Sequence, residues 1–116
     1  MIKVTWDVEE YVALVDIYKR CDHKGNEVVK HELQVLSVIL NYRANKLNIA
    51  HDEKYRNLNG MMIMYQNVVY IATNGDRGMS NASAAMQAVY NMSINAPEAF
   101  VLILKEFNRK YRADHR

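Results

Sequence analysis

The stretch Gly60-Met61-Met62-Ile63-Met64-Tyr65-Gln66-Asn67-Val68-Val69-Tyr70-Ile71 decides how this chain is read. Apolar residues occupy most of its positions, and a helix that is apolar on most sides belongs at the centre of a fold. The Met-rich start, residues 61–64, is then first of all adaptable core filling. Val68-Val69-Tyr70-Ile71 is the one segment whose β-branched content suits a strand. Alternation of period two is weak everywhere else, so a helix over residues 61–71 is the stronger expectation. The run is also far shorter than the ~20 apolar residues that a membrane span needs.

Upstream, residues 48–59 are polar, with room for one helical turn after Asp52, and Gly60 precedes the helix. Before them a helix over about residues 27–47 is predicted from the spacing of Val29, Leu33, Leu36, Ile39 and Leu40. The most secure helix lies near the N-terminus. There Asp7 with Glu10 approximates a capping box, and Val8, Tyr11, Val12, Val15 and Tyr18 recur at helical spacing. Acidic residues in its first turn and Lys19 and Arg20 in its last match the helix dipole.

Downstream, Asn74-Gly75-Asp76-Arg77-Gly78 reads as a loop with two glycines suited to left-handed conformations. A fourth helix is expected from Ser80 or Asn81 to about Met92, with Ala82, Ala84, Ala85 and Ala88 forming a narrow face for close approach. Pro97 fits the first position of a last helix, whose core side is Phe100, Ile103, Leu104, Phe107 and Tyr111. A single proline and four glycines leave only short linkers. The expectation is one all-α domain over residues 1–116, a compact bundle of about five helices with a helix-turn-helix-like centre.

With 116 residues, half of them apolar, the chain can build one core without a disulfide or a metal. The lone Cys21 cannot pair within the chain, which suits a reducing compartment. With no export signal in its opening residues, a cytoplasmic location away from membranes is expected.

No catalytic apparatus is predicted. His23, His31, His51 and His115 are scattered and share no helix face, so neither a metal nor any other cofactor is expected. Cys21-Asp22-His23 are sequence neighbours that point apart at a helix end, and no phosphate-binding glycine pattern occurs.

Charge distribution is more informative. Residues 1–40 carry five Lys/Arg against seven Asp/Glu, whereas residues 41–80 and 81–116 each carry five against three. Around the third helix lie Arg43, Lys46, Lys54, Arg56, Asn57, Gln66, Asn67 and Arg77. A helix, a polar turn and a second helix is the outline in which one helix enters the major groove while neighbouring cations hold phosphates. Gln66 and Asn67 are residue types that make bidentate contacts to adenine. These eight residues are therefore the candidate surface for double-stranded DNA. Each also has a plainer reading: Arg43 and Lys46 suit any helix C-terminus, and Asn67 suits a buried structural amide.

The strings Thr5-Trp6-Asp7-Val8-Glu9-Glu10, Leu14-Val15-Asp16-Ile17-Tyr18, residues 55–71 from Tyr55-Arg56-Asn57 onward, and Gly78-Met79-Ser80-Asn81-Ala82-Ser83 carry a resemblance. Together they resemble the helical N-terminal modules found ahead of HNH-type nuclease and other restriction-associated domains in bacteria. The resemblance implies DNA-associated targeting, with Arg56, Asn57, Gln66, Asn67 and Arg77 as the residues concerned. Since the chain ends at Arg116 without a nuclease domain, it also implies that any activity comes from a partner or from occupancy.

A second reading is a protein–protein module: a homodimer, or a small mobile-element inhibitor of a nucleic-acid-processing defence enzyme. Eight tyrosines, one tryptophan and seven methionines supply residue types favoured at interface centres.

Overall fold

A computed structural model describes residues 3–112. His115, one of the four histidines weighed above, lies outside the described residues. Five α-helices, α1 (Val8–Cys21), α2 (Asn26–Lys46), α3 (Leu58–Ala72), α4 (Ala84–Asn95) and α5 (Pro97–Phe107), pack into one bundle. A 3₁₀ turn, Asp22–Lys24, links α1 to α2, and a π turn, Asn108–Arg112, extends α5. The fold is all-α, with no strand among the described residues.

α1 begins where its cap is complete. The Asp7 carboxylate accepts from the Glu10 amide at 3.1 Å, and the Glu10 carboxylate accepts from the Asp7 amide at the same distance. From Tyr11 to Val15 every residue is buried, and α1 contacts all four other helices. This corrects the expectation that the third helix is the central one. Although α3 is rich in apolar residues, Met62 and Ile63 on its outer side are 41% and 50% exposed. Composition alone overstated its burial.

α2 buries Val29, Leu33, Leu36, Leu40 and Ala44 on one face. α3 starts three residues earlier than the periodicity suggested, because Asn57 caps it: its side chain accepts from the Gly60 amide at 2.9 Å. Gly60 is thus inside the first turn rather than ahead of it. The segment 68–71 is helical throughout.

α4 also differs from expectation. Ser83 is its cap, accepting from the Met86 amide at 3.0 Å, so residues 80–82 precede the helix. Ala84, Ala85 and Ala88 face outward, and the packed side is Met86, Val89 and Ser93. Pro97 opens α5 as expected, and Phe100 and Phe107 anchor it in the core.

The loop after α3 is tied down. Thr73 Oγ1 donates to the Val69 carbonyl at 2.8 Å and accepts from the Arg77 amide at 3.0 Å. The Met79 amide donates to the Gln66 carbonyl at 3.1 Å. Gly78, with φ +88°, lies so close to α3 that a Cβ there would fall 2.3 Å from the Gln66 carbonyl oxygen. Only glycine permits this approach.

Candidate interaction surfaces

The strongest polar cluster sits at the N-terminal end of α1 and faces inward. Arg56, in a left-handed conformation at φ +48°, forms a two-pronged ion pair with the buried Glu10: Nε to Oε2 at 2.6 Å and Nη2 to Oε1 at 2.9 Å. Its remaining donors reach the carbonyls of Val4 at 3.1 Å and Thr5 at 3.4 Å. The guanidinium lies between aromatic rings, 4.7 Å from the Trp6 centroid and 4.3 Å from that of Tyr55. Burial, then the Glu10 charge, push the Tyr55 hydroxyl up to about 12. The backbone is also held, since Ser37 Oγ donates to the Arg56 carbonyl at 2.5 Å and Asn41 Nδ2 to the Tyr55 carbonyl at 3.0 Å. Arg56 therefore clamps the 47–57 connection onto α1 and α2.

Arg43 has a similar fate. It is buried, and one of its nitrogens bonds Asp7 at 2.7 Å and Glu9 at 2.9 Å, with the Tyr111 ring 5.5 Å from its centre. Burial opposes the charge, but the hydrogen bonds to Asp7 and Glu9 and the charges of Asp7 and Glu10 outweigh it and hold the guanidinium above its ordinary range. Lys110 joins the cluster through Glu9 at 2.7 Å, which ties the chain's C-terminal turn to α1.

Arg77 belongs to the opposite end of α1. It is exposed and pairs with Asp22 at 3.2 Å, where Tyr65 also donates to Asp22 at 2.7 Å. Burial, then that hydrogen bond, hold the Tyr65 hydroxyl well above its usual range. Asp7 and Asp22 flank the 14 residues of α1, so Arg77 lies about 20 Å along the bundle from the Arg43 and Arg56 pairs.

The eight candidate DNA contacts are thus not gathered on one cationic face. Arg43 and Arg56 turn into the fold, which removes them from any phosphate-binding patch, because each is already matched to carboxylates. Asn67 is 3% exposed, so it cannot reach a base edge. Its Nδ2 lies 3.9 Å from Met64 Sδ, and its Oδ1 has no hydrogen-bond partner. Asn57 is exposed but spends its side chain on the α3 cap. Lys46 is exposed beside the Tyr42 and Tyr111 rings, at 5.8 and 5.9 Å from their centroids. Lys54 and Gln66 are exposed.

On the outer side of α3, Asn59, Met62, Ile63 and Gln66 follow helical spacing and all are exposed. Met79, 44% exposed, is drawn beside Gln66 by the loop hydrogen bond. The Met62/Ile63 ridge runs between two clefts. One, of about 270 Å³, is lined by Trp6, Lys54, Arg56, Asn57, Gly60, Ile63 and Met64. The other, of about 220 Å³, is lined by Met62, Tyr65 and Gln66 with Asn26, Glu27, Val29, Lys30 and Leu33 of α2. An apolar ridge with a mixed-charge rim has the chemistry of a protein contact.

No protein-family model, curated protein or solved structure matches this chain. Among the described residues no group of three or more His, Cys, Asp or Glu side chains could hold a metal ion, and no helix is long and apolar enough to cross a membrane.

Proposed function

We infer that the domain is a non-catalytic protein-interaction module that presents the outer ridge of α3 to a protein partner. The observation that carries this reading is the pairing of two features: Met62 and Ile63 exposed between two clefts, and Arg43 and Arg56 bound internally to carboxylates. Exposed aliphatic and methionine side chains on a rigid helix favour association through apolar burial. Cations already paired and buried offer little to a polyanion. The resemblance to modules found beside HNH-type nucleases makes a nucleic-acid-processing enzyme the partner class to test first.

The test is a comparison of variants in partner capture, with nuclease-treated extract. One specific protein is expected to be retained by the wild type and by Arg77→Ala, and lost with Ile63→Asp. Duplex DNA bound by the wild type and by Ile63→Asp, but lost with Lys54→Ala and Arg77→Ala, would overturn it in favour of DNA targeting.

A further inference from the structure

We propose that the outer face of α5 is a self-association surface on which a second copy of this chain docks antiparallel about a two-fold axis. This inference stands on α5 alone and holds whatever occupies the α3 ridge.

Leu102 is 68% exposed, the highest value among the exposed large apolar residues, and Val101 is 42% exposed beside it. With Pro97, Glu98 and Lys105 they line a shallow groove of about 370 Å³. Glu98, Val101, Leu102 and Lys105 have the i, i+3, i+4, i+7 spacing of one helix face. Ile94, 53% exposed at the end of α4, adds an apolar residue near the N-terminus of α5.

The charges choose the occupant. Glu98 and Lys105 are seven residues apart, about 10 Å along the helix, too far to pair with each other. Neither is in an ion pair among the described residues, whereas the nearby Glu106 and Arg109 bridge one another. The midpoint between Glu98 and Lys105 falls between Val101 and Leu102. A two-fold axis through that point therefore sets Glu98 of each copy opposite Lys105 of the other, with the two copies of Leu102 meeting on one side of the axis and the two of Val101 on the other. Such self-complementarity is what an isologous contact requires. A parallel arrangement would instead oppose like charges. One helix of three turns gives a contact at the low end of specific interfaces, below about 1,200 Å². The dimer is accordingly concentration-dependent rather than permanent.

Sedimentation velocity over a range of concentrations tests this. Wild-type protein is expected to shift from monomer to dimer as concentration rises, and Leu102→Asp to remain monomeric with an unchanged helical circular dichroism spectrum. Glu98→Lys and Lys105→Glu should each abolish the shift, and the double exchange should restore it. Leu102→Cys should form a disulfide-linked dimer on mild oxidation, because the axis brings the two copies of residue 102 together while Cys21 is buried. A wild type that stays monomeric up to about millimolar concentration would overturn the proposal. So would a dimer indifferent to Leu102→Asp, or a double exchange that fails to restore association.

Discussion

Glu10 shows how a single side chain can serve two levels of structure at once. Its Oε1 completes the cap of α1 and also accepts from Arg56, while Oε2 takes the second prong of the ion pair. Removing one member of a buried pair leaves the other charge uncompensated, at a cost of about 3–5 kcal/mol. Glu10→Gln and Arg56→Ala should each lower the unfolding free energy by about that amount in urea denaturation. Arg56→Lys should not rescue, since an ammonium cannot form the two-pronged contact or stack between Trp6 and Tyr55. The opposite outcome is expected at Asn67, where an amide oxygen is buried without a partner. Asn67→Leu should raise the unfolding free energy by about 1 kcal/mol, seen as a higher urea midpoint, since an unsatisfied polar group costs about that much or more.

The tyrosines make a further prediction about pH. Tyr55 and Tyr65 titrate above the ordinary tyrosine value in the folded protein, through burial and their carboxylate neighbours. A group whose folded pKa is raised contributes stability that is complete below its unfolded pKa and is lost as pH rises through the folded one. Stability should therefore hold up to about pH 10 and fall above it, with these two hydroxyls ionising only as the fold opens. Tyrosinate absorbance followed beside circular dichroism checks this: the absorbance due to Tyr55 and Tyr65, read by difference from their Phe variants, should appear together with the loss of helical signal.

At the scale of elements, the local rules of capping and punctuation were the reliable guide. The Asp7–Glu10 box, the α2 stripe, the 74–78 loop and Pro97 at the start of α5 were all legible, because each is decided by residues close in sequence. The start of α3 was not, since nothing local distinguishes Asn57 from the rest of the polar 48–59 segment, and its capping role rests on the bond to the Gly60 amide. The alanines of α4 suggest a close-packing face, but its packing is done by Met86 and Val89. The 73–79 loop depends on a close backbone approach that no local pattern announces. Gly78→Ala should push the loop off α3 and lower Tm by several degrees, a cost of more than about 1 kcal/mol. Ile63→Asp, on the open side of the same helix, should change stability by no more than about 0.5 kcal/mol. Thermal melts of the two variants separate loop anchoring from surface chemistry.

At the scale of the whole molecule, part of the basic bias of residues 41–116 answers the acidic first third. Arg43, Arg56, Arg77 and Lys110 each reach back to a carboxylate at or beside α1: Asp7, Glu9, Glu10 or Asp22. For these four cations the charge asymmetry is internal complementarity, which no count along the chain distinguishes from a binding face. One signal was present. Glu10 stands four residues before Leu14 and seven before Ile17, on the same stripe as buried apolar residues, and a carboxylate there demands a cation from elsewhere in the fold.

If these cations hold the fold instead of phosphate, the salt dependence of duplex affinity shows it directly. With the guanidiniums of Arg43 and Arg56 engaged internally, any binding of generic duplex by the wild type should weaken with a slope in log K against log salt no steeper than about −2, the signature of one or two phosphate contacts. A slope of about −4 or steeper, lost on replacing Arg43 or Arg56 without loss of stability, would contradict it.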